Sequence, residues 1–444
     1  MNVVGSVEQQ LAVARNLLEQ GRADEAQQAY ARVLDVAPDA AEALNQLGIH
    51  ALNHKRVDEA LNLLARARAA APADALVHRN LGLALRAAGR IDDAVQALRE
   101  AVRLDPDFFV ARLQLGTALE DLGRERESLA AFFGAVTTAQ GLGRWLNDAT
   151  TAPPMRPLVK HAMQRIDRGR GLLFSESLQP LRERYGADAL KRVEKSLAIY
   201  LGWLPADLPD PRQKPSFLYF PDLPTVAWFD RALFPWYATL EDAYPAIRAE
   251  LDSVLDDARA FEPFLKFRPG VSTEEHLSGT RGTPVWDAFF FYRHGERYED
   301  NCRRCPVTAA ALDAVPIVRL PGHAPECLYS KLTAGSHIRP HRGVTNTRVV
   351  THLPLIVPGN GALRVGGEDR EWQQGRCFTF DDTFLHEAWN HSEHTRVVVL
   401  LDCWNPYMTE VEILACTDLV LAIADFNEEA RLADPLVDQG HARS

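Results

Sequence analysis

The stretch LGIHALNHKRVDEALNLLARARAAAP, residues 47–72, is one unit of a pattern that repeats through the first third of the chain. Its Leu-Gly pair recurs at 81–82 and 115–116, so the period is 34 residues. Prolines recur with the same period at 38, 72 and 106, and large apolar residues do so at 30, 64, 98 and 132. A fixed period at several positions indicates a stack of similar helical units.

Each position of the repeat has a physical role in a pair of antiparallel helices. Small residues allow the two helices to approach closely, and glycines at 21, 89 and 123 end the first helix of a pair, because glycine adopts a left-handed conformation at the least cost. The pattern resembles the tetratricopeptide repeat, with about four units between residues 7 and 140. The resemblance implies an all-α solenoid that binds a peptide or protein partner on its concave face, or that serves as a dimerisation or docking arm.

The overall composition predicts a globular chain of two or three domains. Of its 444 residues, 46% are hydrophobic and 25% are charged, and the net charge is −11. Such acidity argues against a nucleic-acid partner. We find neither a signal-peptide pattern nor a long uninterrupted apolar run, and therefore expect no membrane association. The six cysteines are typical of a reduced, cytoplasmic protein.

Prolines mark the start of the last domain. The stretch PADLPDPRQKPSFLYFPDLP, residues 205–224, contains six of them, and such a density ends regular helices. From about residue 286 onward, short β-type runs are separated by Gly, Pro and Asn, which predicts a jelly roll, or double-stranded β-helix. We therefore predict a multidomain chain with four segments: repeats at 1–140, a helical connector at 141–204, the jelly-roll domain with flanking helices at 205–407, and a helical tail at 408–444.

Two histidines on the β-rich segments are candidates for a shared metal site. His341 lies in SHIRPHRGVTNTRVVTHLPL (336–355), in a loop after a strand, and His386 lies in FDDTFLHEAWN (380–390). Imidazole suits ferrous iron, and a small ligand set leaves positions open for a bidentate cosubstrate and oxygen. Arg396, on a buried strand, needs an anionic partner, which 2-oxoglutarate would supply with Ser330 adding a hydroxyl. Taken alone, each histidine would be interpreted as a polar residue near a turn, whereas His341, His386 and Arg396 together favour a site.

The same stretches resemble the aspartyl/asparaginyl β-hydroxylases, which are iron(II)- and 2-oxoglutarate-dependent dioxygenases. The resemblance covers roughly residues 215–407 and is densest in HIRPHRGVTNTRVVTHLPL, FDDTFLHEAWN and LDCWNP. A common iron site has an acid two residues after its first histidine, and Gly343 occupies that position here. Glycine at this position is what the family carries, which implies that water fills the vacant coordination position.

The resemblance implies a role for each matching residue of the cofactor site. His341 and His386 would bind the iron and, with Arg396, form the catalytic set. Ser330 and Arg396 would hold the distal carboxylate of 2-oxoglutarate, and His352 would lie near its metal-binding end.

Three further residues, Arg281, Trp286 and Arg348, match substrate-side positions of the family. Animal members carry arginine at the positions of both Arg348 and Val350, which share one face of a strand. One charge that would hold a substrate carboxylate is therefore missing, which leaves the substrate open between an Asp/Asn-like residue of a peptide and a small molecule.

The sequence thus predicts a dioxygenase that uses Fe(II), 2-oxoglutarate and O2 to hydroxylate a C–H bond. One alternative is an interaction protein built on the repeats, with a vestigial barrel. A minor alternative is halogenation, because a missing carboxylate ligand leaves room for a halide.

Overall fold

The repeat positions fold into four consecutive helical hairpins. The computed structural model describes residues 3–257, 259–265, 274–280 and 283–430, and within these ranges the repeats form eight helices: α1 (Val3–Glu19), α2 (Ala23–Val36), α3 (Ala41–Asn53), α4 (Val57–Ala70), α5 (Ala75–Ala87), α6 (Ile91–Leu104), α7 (Phe109–Asp121) and α8 (Glu125–Gly141). The predicted helical solenoid is confirmed.

The glycines of the Leu-Gly pairs are the points where the two helices of each hairpin touch. A Cβ added to Gly48 or Gly82 would lie 2.6 or 2.7 Å from the Cγ of the leucine opposite, Leu64 or Leu98. These distances are shorter than van der Waals contact, so only glycine allows the helices to pack this closely. The 34-residue period therefore reflects a packing requirement repeated in each hairpin.

The remaining elements follow in chain order. The helices are α9 (Arg156–Ser177), α10 (Gln179–Tyr185), α11 (Ala187–Tyr200), α12 (Tyr237–Asp242), α13 (Tyr244–Leu255), α14 (Glu299–Arg304), α15 (Pro306–Asp313) and α16 (Glu410–Glu429). The strands are β1 (Glu262–Pro263), β2 (Leu277–Gly279), β3 (Trp286–Arg293), β4 (Glu296–Arg297), β5 (Cys327–Leu332), β6 (Ser336–His341), β7 (Arg348–Ile356), β8 (Gly361–Val365), β9 (Glu368–Arg370), β10 (Phe378–Phe380), β11 (His386–Asn390) and β12 (Arg396–Trp404). In the part of the chain that the structure describes, no helix has both the length and the apolar character needed to cross a membrane.

The strands form two antiparallel sheets, as the predicted jelly roll requires. The larger sheet has the order β1-β3-β5-β12-β7-β10, with β4 beside β3, and the smaller has the order β2-β6-β11-β8-β9. Apolar residues from both sheets, among them Val350, Leu363 and Val398, pack together in one cluster. The sheets therefore face each other, and the predicted fold of the β-rich part is confirmed.

Strand alternation separates a packed face of the larger sheet from an open one. On β12, Val397, Val399 and Leu401 pack into a core that includes residues of α12, α13 and α15. The alternate residues Arg396 and Asp402 line a cavity between the sheets. Period-two alternation thus places every second residue of β7 and β12 where it can meet a ligand.

Contacts divide the chain into two units, one of residues 1–170 with a stretch beginning at 426, the other of residues 171–425. In the first unit this stretch packs against the repeats: the rings of Phe426 and Phe133 are in tilted contact, with centroids 5.4 Å apart, and Arg112 donates a hydrogen bond to the carbonyl oxygen of Ala430. A neighbouring cavity of about 380 Å³ lies on α6, α7 and α8. The division into four segments stays a prediction.

Candidate active site

His341 and His386 face each other across two paired strands. They are direct partners in the β6–β11 ladder, and their ring centroids lie 4.1 Å apart. The ladder is shifted by one residue between His386 and Ala388, which is a β-bulge. His341 is the last residue of β6, although the sequence suggested a loop. Because a bulge re-aims side chains, His341 faces the cavity with Ile338, whereas His337, also an odd-numbered residue, lies on the other face.

Backbone carbonyls fix the orientation of both imidazoles. Nδ1 of His341 donates to the carbonyl oxygen of Arg339 at 2.8 Å, and Nδ1 of His386 donates to that of Phe384 at 3.1 Å. A carbonyl oxygen only accepts, so each neutral ring carries its proton on Nδ1 and has its lone pair on Nε2. Desolvation by the surrounding protein lowers the pKa of both rings, which keeps them neutral as metal ligands must be.

Gly343 makes room for a buried carboxylate. A Cβ added to Gly343 would overlap the Asp382 carboxylate, at 2.2 Å from each of its three outer atoms. The Gly343 N–H also donates to the Asp382 carbonyl oxygen at 2.6 Å. Oδ1 of Asp382 is buried without a hydrogen-bond partner among the described residues. Burial raises the pKa of Asp382 to about 8, although the positive charge of Arg348 opposes the shift. A cation bound beside this carboxyl group would stabilise its ionised form.

Arg396 is a buried cation for which the structure offers no carboxylate within its described residues. Its side chain is 2% exposed, and Nη1 makes only long contacts to Ser330, at 3.3 Å to the carbonyl oxygen and 3.5 Å to Oγ. The guanidinium lies over the Trp372 ring at 4.8 Å, and its Nε is unpartnered. Burial lowers the pKa of Arg396 to about 9. This geometry fits an anion that would balance the charge.

Ser330 and His352 lie beside Arg396 in the same cavity. Nδ1 of His352 accepts a hydrogen bond from Trp372 at 3.3 Å, so its proton is on Nε2 and is available to an acceptor. Burial, and then the charge of Arg396, lowers the pKa of His352 well below its usual range. The indole N–H of Trp286 donates to Ser330 Oγ at 3.0 Å, so Trp286 contacts a residue predicted to bind the cofactor.

The structure describes two of the three residues predicted to lie on the substrate side. Arg281 lies outside the described residues. Trp286 stacks on Phe264 with ring centroids 4.1 Å apart, and its ring is 6.4 Å from that of His341. Arg348 lines the cavity and donates to Asp402 at 2.9 Å.

The cavity that joins these residues has a volume of about 300 Å³. Its apolar lining includes Phe264, Phe290, Val350 and Leu400. Nowhere in the described ranges does a group of three or more His, Cys, Asp or Glu side chains have an arrangement that would hold a metal ion. The candidate metal centre would therefore have two protein ligands from the described residues, His341 and His386.

Comparison with known proteins identifies the family of the β-rich part. The Aspartyl/Asparaginyl beta-hydroxylase profile matches residues 241–406. Aspartate beta-hydroxylase domain-containing protein 2 of Mus musculus is 32% identical over 243 residues, which are 53% of this chain and 67% of that protein. The chain belongs to the aspartyl/asparaginyl β-hydroxylase family. Two tetratricopeptide-repeat profiles match residues 17–82 and 82–123, which confirms the predicted repeats.

Other members of the β-hydroxylase family differ in the substrates that their names state. The ornithine lipid ester-linked acyl 2-hydroxylase of Rhizobium tropici is 36% identical over 198 residues, 44% of this chain and 66% of that protein. Human aspartyl/asparaginyl beta-hydroxylase is 32% identical over 172 residues, 38% of this chain and 21% of that protein. The chain spans about two thirds of the first relative and about a fifth of the second.

Sequence reasoning missed Asp382 as a residue of this candidate site. The available signal was an acid four residues before His386, in FDDTF. We expect Gly343→Ala to lower the free energy of unfolding by about 1–3 kcal/mol, because its Cβ overlaps a buried carboxylate. Gly343→Asp would meet the same obstacle and should not create a three-ligand centre. Chemical denaturation measures the loss of stability in both variants.

Gly141→Ala is the matched control for the substitution at Gly343. Gly141 is the last residue of α8, and an added Cβ there meets nothing within 4 Å. Adding Asp382→Ala to Gly343→Ala should recover stability, because the obstructing carboxylate is gone. A Gly343→Ala protein as stable as the Gly141→Ala protein would contradict the predicted overlap.

Proposed function

We propose that this protein is an iron(II)- and 2-oxoglutarate-dependent dioxygenase that hydroxylates a C–H bond. The observation that carries the proposal is Arg396, a buried guanidinium with an unpartnered Nε, in the same cavity as two paired imidazoles. A cation in this position is costly unless an anion binds to it. A cosubstrate with a carboxylate at one end and metal-binding oxygens at the other fits both features.

The residues present fit a ferrous ion. His341 and His386 would hold it through Nε2, because both Nδ1 atoms already donate to backbone carbonyls. Asp382, with its orphaned oxygen, would accept a hydrogen bond from a water molecule in this centre. The positive charge of the ion would favour the ionised form of Asp382, whose pKa burial raises to about 8.

The residues around the second half of the cavity fit 2-oxoglutarate. Arg396 and Ser330 would bind its distal carboxylate, and the N–H at Nε2 of His352 would donate to its other end. With both cofactors bound, O2, 2-oxoglutarate and the substrate R–H give R–OH, succinate and CO2. The apolar lining, with Trp286 and Phe264 stacked at its side, would exclude water and orient the substrate.

The proposal also covers the substrate, the partner of the repeats and the cellular location of the protein. The names of the relatives support either a peptidyl Asp/Asn-like residue or an acyl chain. The repeats would bind a peptide or protein partner. All six cysteines are buried free thiols, which supports a cytoplasmic location. The chain's acidity, with a net charge of −11, supports the absence of nucleic-acid binding.

Succinate release tests the proposal directly. Protein supplied with ferrous iron and 2-oxoglutarate in air should release succinate slowly without substrate, and should lose this activity when His341 and His386 are both replaced by alanine. The vestigial-barrel alternative predicts no succinate above the double variant and no bound iron. That outcome would reject the enzyme and leave an interaction protein.

A further inference from the structure

One end of the cavity, away from Arg396, contains an ion pair formed by two side chains that both line the cavity. Arg348 on β7 donates from Nη1 to Oδ2 of Asp402 on β12 at 2.9 Å, and the two residues are only 8% and 4% exposed. Asp402 lies six positions after Arg396 on the same strand, which is roughly 20 Å at about 3.4 Å per residue. The carboxylate that would bind Arg396 therefore does not reach Arg348.

A second carboxylate adds to the negative charge at this end. Glu326 lines the cavity, and its Oε1 accepts from the backbone N–H and the Nδ1 of His294, at 2.8 and 2.9 Å. The backbone N–H of Glu326 donates to the same oxygen of Asp402 that Arg348 binds, at 3.1 Å. Among the described residues that line this end of the cavity, the carboxylates of Asp402 and Glu326 outnumber the guanidinium of Arg348, so no excess positive charge is left there to attract an anion.

The remaining arginines that line the cavity in the described part of the chain are paired, hydrogen-bonded or exposed. Arg293 pairs with Glu262 at 3.2 Å. Arg339 is exposed on β6, and Arg342 donates to backbone carbonyl oxygens of Arg212 and Thr383. On the sheet beside Arg348, the next residues that face the cavity are Val350 and Leu400, both uncharged.

We propose that Asp402, by neutralising Arg348, excludes an anionic group from the far end of the cavity, and that the substrate there is an uncharged hydrocarbon chain of an acyl ester or amide. The inference rests on the proposed dioxygenase function and narrows its substrate. A carboxylate in this region would lie near Asp402 and Glu326 with no additional cation beside it among the described residues. The free energy needed to bury it would therefore exceed the stabilisation from its contacts. The aromatic and aliphatic lining of Phe264, Phe290 and Leu400 suits a chain instead.

Two probes that differ only in charge test this assignment. One is an octanoyl amide, and the other is the same amide with a carboxylate at the far end of its chain. Calorimetry with the iron- and 2-oxoglutarate-loaded wild type should give an affinity at least tenfold higher for the uncharged probe. In Asp402→Asn, the charge of Arg348 is no longer neutralised by this carboxylate, and the preference should shift by tenfold or more toward the carboxylated probe.

Two further variants serve as controls for Asp402→Asn. Glu412→Gln breaks an Arg–carboxylate pair with Arg192 that does not line the cavity, and it should leave the preference unchanged. The double variant Arg348→Met with Asp402→Leu removes both charges and should retain the wild-type preference even if Asp402→Asn does not fold. Equal binding of both probes by the wild type, or an unshifted preference in a folded Asp402→Asn protein, overturns the inference.

Turnover separates this inference from the function on which it rests. Succinate release without any probe reports the dioxygenase chemistry, whereas calorimetry reports the preference of the cavity. If succinate is released but the wild type prefers the carboxylated probe, the substrate class is wrong and the enzyme stands. If no succinate is released while the uncharged probe still binds better, the specificity of the cavity stands and the proposed chemistry is wrong.

Discussion

Replacing either His341 or His386 by alanine should abolish stoichiometric binding of ferrous iron. The two imidazoles are cross-strand partners, and the described residues contain no larger group of metal-binding side chains to compensate for the loss of one. With a single protein ligand the site loses both affinity and orientation. Iron content after anaerobic loading, together with calorimetric titration by Mn²⁺, measures the loss without relying on turnover.

His337→Ala is the control for these two substitutions. His337 lies on the same strand as His341, but the β-bulge leaves it on the opposite face, where Nε2 lies 2.8 Å from Glu387. This variant should keep its iron. If the His341→Ala, His386→Ala double variant still binds one equivalent of iron, the centre lies elsewhere.

Arg396→Met should raise the concentration of 2-oxoglutarate needed for half-maximal succinate release by roughly 30-fold or more. Truncating one partner of a buried charge pair typically costs about 2–5 kcal/mol, and each 1.4 kcal/mol is a factor of ten. The same substitution should stabilise the protein when 2-oxoglutarate is absent, because it removes a buried cation that has no carboxylate partner in the described structure. Thermal unfolding with and without 2-oxoglutarate measures this second effect.

Arg192→Met is the matched control for Arg396→Met. Arg192 pairs with Glu412 at 2.6 Å and does not line the cavity. Its loss should lower stability and leave the 2-oxoglutarate requirement unchanged. An Arg396→Met protein with an unaltered requirement would show that the distal carboxylate binds to another group.

The sequence predicted those features that repeat or alternate. The 34-residue period predicted the helical hairpins because the same close contact recurs at Gly48 and Gly82. Alternation on buried strands is why His352 and Arg396, far apart in the sequence, line one cavity. Their roles as cofactor ligands stay predictions.

Features that depend on contacts between distant segments were not predictable. A turn brings Asp382 against Gly343, and Arg348 pairs with Asp402, 54 residues away. The bulge in β6 was also hidden, because strict alternation from His337 puts His341 on the outer face. In each case the deciding interaction joins residues that carry no local pattern.

Because His341 and His386 are direct cross-strand partners, binding of the proposed metal would depend on the register in which β6 and β11 pair during folding. A β11 strand displaced by one residue would turn His386 outward and Glu387 inward, so a misaligned chain presents only one imidazole to the cavity. Ferrous iron, bound as proposed, would select the correctly aligned chain by mass action. At a free concentration one hundred times its dissociation constant, it would favour that chain by about 2.7 kcal/mol. Removal of iron from the proposed site would then raise the misaligned fraction of the protein, independently of any loss of the proposed catalysis.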